Sequence, residues 1–397
     1  MNKHFFLFIC SFFFALGHNF LNFSLIYRLT DVFSFNPGQV GAFIATGHLF
    51  YFFGCVLYHR FGSTANPTRI IPVASVVVFL VSIPLGFVRI LGTAYVSYWL
   101  LQITSSMFWP PIMAWLTEGL SGSELSRRIS HFNRSWMSAL IIAPPLAGFL
   151  YRWNSDINFF IICLSFLTNI ILIFLVIRAS KVCDTGKERV IQTAEISETE
   201  KHGPSALQQS KKLHIFRHIS WICFFCSVIF AGVFVNIVPI HIRDTLGYTE
   251  STAGWVLFFR CVAGFIAFVL LAKFAAWHFS FRWVVILQAG LALCAFIFLL
   301  AGGNLPFYFG IGVLYGLINA ASNTNSVFYS RTTGKNPKKN LAIHEMLMCS
   351  GSAIGTAGGG LIYQRFGFAG TWFAILLALS VCLGFITVLI KRSIDKS

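Results

Sequence analysis

Twelve apolar runs succeed one another along this sequence, at 5–27, 38–58, 69–91, 94–117, 132–151, 157–178, 218–240, 250–272, 282–302, 304–329, 341–363 and 369–390, each bounded by polar, Gly or Pro residues. The hydrocarbon core of a bilayer is roughly 30 Å thick and an α-helix rises about 1.5 Å per residue, so a spanning helix needs roughly 20 apolar residues. Every run is close to that length. Hydrophobic residues make up 56% of the 397 and charged residues 11%, against about 25% charged in a soluble domain. No soluble fold could hide that much apolar surface. The expected fold class is an all-α polytopic membrane protein with twelve transmembrane helices.

Six runs precede one polar segment and six follow it. That segment carries Lys181, Asp184, Lys187, Glu188, Arg189, Glu195, Glu198, Glu200 and Lys201 with few large apolar residues, and it reads as a solvated linker. The expected organisation is an N-terminal six-helix bundle over 1–178, a cytoplasmic linker over 179–216 and a C-terminal six-helix bundle over 217–397. With the N-terminus placed in the cytoplasm, 23 Lys and Arg residues fall on the cytoplasmic side. Only Arg28, Arg89, Arg152, Arg243 and Arg365 fall outside, and Arg260 is left within a span. This asymmetry follows the positive-inside rule and places both termini in the cytoplasm; the expected location is a plasma (inner) membrane. The net charge of +16 is then a matter of topology, and no nucleic-acid partner is expected.

Lys3 ahead of an apolar run, with Ala15-Leu16-Gly17 after it, has the outline of a signal peptide. Apolar sequence continues to Ile26, however, and the topology needs this span. Most of the ten cysteines fall inside apolar runs and read as small buried hydrophobes. Cys223 and Cys226 have C-x-x-C spacing in a helical run without a βαβ pattern, so no redox role is assigned to them.

The two halves match when the fifth run is laid on the eleventh. Ser138, Ile142, Gly148 and Tyr151 meet Ser350, Ile354, Gly360 and Tyr363, and Ala139, Ala143 and Ala147 meet Gly351, Gly355 and Gly359. A small residue at every fourth position permits close helix approach, and its recurrence favours a parallel repeat of two pseudo-symmetric bundles. Gly41 and Gly254 form a further matched pair.

Twelve spans, divided six and six by a basic linker into matched halves, resemble the major facilitator superfamily over nearly the whole chain. That family's loop between the second and third helices carries Gly-x-x-x-Asp-Arg-x-Gly-Arg-Arg. Here His59-Arg60-Phe61-Gly62 retains only Arg60 and Gly62 of it, and no second copy is clear around Trp277 to Arg282. The antiporter pattern Gly-x-x-x-Gly-Pro-x-x-Gly-Gly of the fifth helix is met by Ala139, Ala143, Pro144, Ala147 and Gly148. This fits exchange or export, and equally ordinary packing beside a proline kink. The resemblance implies that helices one, four, seven and ten line a central cavity.

Enzyme signatures are absent, for Gly334-Lys335 lacks the earlier glycine of a phosphate-binding loop and His344-Glu345 has no second zinc-binding histidine. Neither cofactor nor metal is expected. Polar side chains within spans are costly and face a cavity or another helix. His18, Asn19 and Asn22 in the first run, Gln102 and Trp109 in the fourth, and Asn319 and Asn323 in the tenth are therefore candidates for substrate binding. An interhelical hydrogen bond is an equal reading for each Asn or Gln. His48 and Arg260 follow Gly41 and Gly254 at similar intervals near mid-membrane and join the candidates. No carboxylate lies at Arg260's depth, which leaves it cavity water, a neutral partner such as Asn236, or a substrate oxyanion. Gating or coupling candidates are Arg60, Gly62, Arg134, His344 and Glu345, with Glu345 pairing with Arg134 or Lys339. The expected function is secondary active transport of a small hydrophilic, anionic solute by alternating access. A drug or metabolite exporter of this fold and a non-transporting receptor or sensor are the alternatives. Expected partners are the solute, the bilayer and a coupling proton or ion, the chain acting as a monomer.

Overall fold

The computed structural model describes residues 3–62, 66–87, 90–116, 120, 122–184, 204–274, 277, 279–332 and 337–394. It is helical almost throughout: α1 (Lys3–Asp31), α2 (Pro37–Leu57), α3 (Pro67–Phe87), α4 (Leu91–Ser106), α5 (Trp109–Leu116), α6 (Gly122–Trp153), α7 (Ser155–Asp184), α8 (Pro204–Asn236), α9 (Val238–Ile240), α10 (Glu250–Lys273), α11 (Phe281–Ala301), α12 (Leu305–Thr332) and α13 (Pro337–Ile394). Among the described residues nine helices are long and apolar enough to cross a membrane.

Local chemistry explains the departures from twelve even runs. The fourth run breaks at Met107–Phe108 into α4 and α5, where Trp109-Pro110-Pro111 opens a new helix with prolines in its first turn, the position at which a missing N–H costs nothing. The fifth run lies in α6, whose first turns hold Glu124, Arg127 and Arg128 and dilute its apolar character. The last two runs form one long α13, interrupted at Gly367 with φ 69°, a left-handed conformation that glycine adopts without a Cβ penalty. The linker assignment over 179–216 lies largely outside the described residues, and helix continues to Asp184 on one side and resumes at Pro204 on the other.

Helix α7 shows how sequence periodicity becomes position. Phe160, Leu164, Leu167, Ile171 and Phe174 recur at helical spacing and are exposed, whereas Phe159, Ile162, Phe166, Asn169 and Ile173 on the other face are buried. The buried polar members act as ties. Asn158 Nδ2 donates to Ser24 Oγ of α1 at 2.9 Å and to the Ala147 carbonyl of α6 at 2.8 Å, and Asn169 Nδ2 donates to the Cys10 carbonyl at 2.8 Å.

Two long antiparallel seams join helices that precede residue 184 to helices that follow residue 204, α2 against α13 and α6 against α10. The matched glycines sit in these seams. Gly41 abuts the Thr356 carbonyl and Gly360, and Gly254 abuts Pro144 and Pro145; a Cβ on Gly360 would lie 2.7 Å from the Pro37 carbonyl, and one on Gly148 2.6 Å from the Glu250 carbonyl. The Gly351, Gly355 and Gly359 stripe faces elsewhere, meeting Phe225, Ile229 and Val233 of α8.

Candidate functional site

Arg260 lies midway along the Glu250–Leu271 span. Thr249 caps the start of α10, its Oγ1 accepting from the Thr252 N–H at 3.3 Å, and Gly316 of α12 meets the Arg260 carbonyl where any side chain would collide. That close approach sets the Arg260 guanidinium over the ring of Tyr315, with Cζ 5.3 Å from the centroid. The ring is held from beneath: Tyr315 Oη donates to the Ser227 carbonyl at 3.0 Å, and Asn319 Nδ2 donates to Tyr315 Oη and to Ser227 Oγ, both at 3.0 Å. Cation–π contact of this kind contributes roughly 0.5–2 kcal/mol. Nε is buried and has no hydrogen-bond partner. The ion pairs among the described residues leave Arg260 out.

Unpartnered polar atoms also occur on α1 and on α4, where Gln102 stands beside Tyr98. His18 Nδ1, Asn22 Oδ1 and Gln102 Nε2 are each buried without a hydrogen-bond partner, and Gln102 is 1% exposed. His48 of α2 stands within electrostatic reach of His18. The His18 ring lies parallel to Phe14, which stacks on Phe108 at 3.7 Å and meets Trp109 edge-on at 5.4 Å. Trp109 thus belongs to an aromatic wall that also contains Phe132.

Other candidates have structural partners. Asn19 Nδ2 donates to the Ala15 carbonyl of its own helix at 2.8 Å. Asn236 Nδ2 donates to the Gly232 carbonyl at 2.9 Å and to Thr356 Oγ1 of α13 at 3.1 Å, fastening α8 to α13. His344 stacks on Phe224 at 4.4 Å, with Nδ1 2.8 Å from Ser326 Oγ. Asn323 is half-buried one turn beyond Asn319. Arg134 turns to its own helix, Nη2 lying 2.9 Å from His131 Nδ1 and Nε 3.4 Å from the Ser130 carbonyl, instead of reaching Glu345. Glu345 lies within electrostatic reach of Tyr51 and Cys349 in the α2/α13 seam; the Lys339 side chain is outside the described residues. Arg60 is exposed in the π-helical turn Tyr58–Gly62, over the ring of its neighbour Phe61.

Tyr315 and Ser227 are absent from the sequence-based candidates. Asn319 marked the position, because Tyr315 stands one turn before it on the same face. Also missed is a charged clasp at the end of the molecule that carries Asp31. Arg243 Nη1 lies 3.0 Å from Asp31 Oδ1 and 3.7 Å from Glu250 Oε1, Nε lies 2.6 Å from Asp244 Oδ1, and Nη2 donates to Thr30 Oγ1 at 2.7 Å. Tyr151 Oη donates to Asp31 Oδ2 at 3.0 Å. The clasp joins α1 to the turn after α9, and no sequence spacing pairs positions so far apart.

Known proteins share this architecture. A POT family transporter in complex with 5-aminolevulinic acid superposes with a TM-score of 0.75 at 12% identity, covering 98% of this chain and 96% of that one. The nucleoside transporter NupG gives 0.70 at 12% identity, covering 98% and 100%, and a peptide transporter POT in complex with sulfate gives 0.71 at 12%, covering 98% and 94%. At such identity the likeness is one of fold. No curated protein matches the sequence. The sequence profile of the Major Facilitator Superfamily matches residues 7–334, most of the chain. With an all-helical architecture apolar enough to span a membrane and transporters as its structural neighbours, the chain belongs to the Major Facilitator Superfamily.

Proposed function

We propose that this protein is a secondary active transporter that moves a small hydrophilic anion by alternating access. Its spans number twelve in this reading, with the α4–α5 pair counted as one, α6 included and α13 divided at Gly367 into two. They form two six-helix halves, both termini and the linker being cytoplasmic and the Asp31 end external. The basic-residue asymmetry supports the orientation. Equivalent placement of Gly41 with Gly254 and of Gly148 with Gly360 in the two seams supports the repeat. The chain acts as a monomer, and a solute or ion gradient supplies the energy, a proton among the candidates.

The observation that carries the reading is Arg260. Insertion scales charge about 2.5–3.5 kcal/mol for an arginine at a helix centre, and here the guanidinium has a ring beneath it, a buried Nε without a partner and no carboxylate in ion-pair distance among the described residues. A planar fork of N–H donors matches a carboxylate or phosphate. Thermal shift of the purified protein tests this with a panel of organic anions, neutral sugars and cations. A ligand at a hundred times its Kd stabilises by about 2.7 kcal/mol. The expected result is stabilisation by an anion that disappears in Arg260→Gln. Stabilisation by cations or neutral solutes alone would overturn the reading.

A further inference from the structure

The turn between α10 and α11 carries a groove that solute transport does not use. It holds about 300 Å³, and its lining includes Leu270, Phe274, Trp277, Arg282, Trp283 and Ile286. The two flanking spans end at Leu271 and begin at Phe281, so the groove lies where the hydrocarbon layer meets the headgroups. Its floor is tied down. Trp277 is buried, its Nε1 donates to the Leu271 carbonyl at 3.2 Å, and its ring meets Phe328 of α12 edge-on at 5.1 Å. The Phe279 N–H donates to Tyr329 Oη of α12 at 2.7 Å, and Ser280 Oγ caps α11 by accepting from the Trp283 N–H at 3.3 Å. The open side is apolar, for Leu270, Phe274 and Ile286 are 46%, 63% and 60% exposed.

The charge around this trough has one sign. Arg282 is exposed in the lining, and exposed Lys273 directly precedes Phe274. Arg331 stands in the last turn of α12, at the same end of the bundle. From Ser251 to His344 the chain has no acidic residue, and among the described residues no carboxylate lies in ion-pair distance of Arg282 or Lys273. Trp283 Nε1 has no acceptor within the protein, and a tryptophan at the membrane boundary ordinarily turns its N–H towards the headgroups. A basic rim beside an apolar trough matches an amphiphile with an anionic head. At about 30 Å³ for each water-sized group the trough admits about ten of them, a stretch of one acyl chain and not a whole lipid.

We propose that this groove binds an anionic phospholipid of the surrounding membrane, with one acyl chain along Leu270, Phe274 and Ile286 and the phosphate at Arg282. In the orientation proposed above this end is cytoplasmic, the side on which anionic lipids attract basic residues. The site depends neither on that orientation nor on the anion reading of Arg260.

The test is native mass spectrometry of the full chain, delipidated in detergent and titrated with dioleoyl phosphatidylglycerol, with dioleoyl phosphatidylcholine and with inorganic phosphate. A basic residue beside an anionic headgroup contributes about fivefold in affinity. The first phosphatidylglycerol should therefore bind at least about fivefold more tightly than the first phosphatidylcholine, and Arg282→Gln should erase that difference. Ile286→Trp, which fills the trough from an exposed position, should weaken both lipids and leave Arg282 in place. Equal binding of the two lipids by the wild type would overturn the proposal, as would a preference for phosphatidylglycerol that survives Arg282→Gln. Lipid binding that Ile286→Trp leaves unchanged would show that the chain lies elsewhere and would overturn it too. Inorganic phosphate bound as tightly as the lipid, and lost in Arg282→Gln, would make this a phosphate site and refute the lipid assignment.

Discussion

Replacing Gly254 with alanine places one methyl group into the α6/α10 seam. The added Cβ would stand 2.5 Å from the Pro144 carbonyl oxygen and 2.8 Å from both Pro144 C and Pro145 Cα, whereas ordinary contact begins at 3.4 Å. The helices must therefore part by about 0.9 Å, the difference between 3.4 and 2.5, because two consecutive prolines with fixed φ cannot swing their backbone aside. Overpacking of this size costs about 1–3 kcal/mol. If α6 and α10 separate at the Asp31 end during alternation, that cost falls on the closed arrangement alone and shifts the equilibrium towards opening by roughly 5–150-fold. Spin labels at exposed Asn154 and Asn304, with Cys163, Cys183 and Cys382 replaced by serine, report the separation through double electron–electron resonance. The variant should gain a longer-distance population that the wild type lacks. An unchanged distance distribution in a normally folded variant would show that the seam relaxes in place and does not open there.

Arg243→Gln removes the ion pair to Asp31 and the hydrogen bond to Thr30 that fasten α1 to the turn after α9. With Asp31 44% exposed, screening limits the loss to about 1–2 kcal/mol, and the same labels should show a roughly 5–30-fold larger open population; no change would mean that the clasp is ornamental. Cys55 and Cys349 are buried and adjacent across the α2/α13 seam. Treatment with diamide should join them and arrest transport, dithiothreitol should restore it, and Cys55→Ser should be immune. Full transport with the bridge demonstrated by mass spectrometry would exclude relative motion at that point.

The sequence revealed most where physics leaves few alternatives. Runs of the length a bilayer demands became helix, because lipid offers the backbone no other way to bond, although the fourth run broke in two and the last two joined into α13. The position of Arg260 midway along its helix was legible for the same reason, being set by residue count. Gly41, Gly148, Gly254 and Gly360 were legible as matched positions, although their role in the α2/α13 and α6/α10 seams needed the structure. Azimuth was harder to read. Asn236 and His344 are polar residues within spans like Gln102, and only the rotation of each helix decided that the first two meet Thr356 and Ser326 while Gln102 Nε2 has no partner. Tyr315 was hidden because an aromatic residue in an apolar run looks the same whether it faces lipid or supports a guanidinium. The Arg243 clasp was hidden because its partners are more than two hundred positions apart, in segments that local periodicity does not connect.

Counterflow in proteoliposomes tests the central claim most directly. Vesicles preloaded with an unlabelled small organic anion should accumulate its labelled form when they hold the wild-type protein. Arg260→Gln, reconstituted to equal density with an unchanged Tm, should lower that uptake by about two orders of magnitude, as expected when roughly 3 kcal/mol of charge-assisted hydrogen bonding to an oxyanion is lost. Uptake by Arg260→Gln at the wild-type rate and affinity would contradict the account.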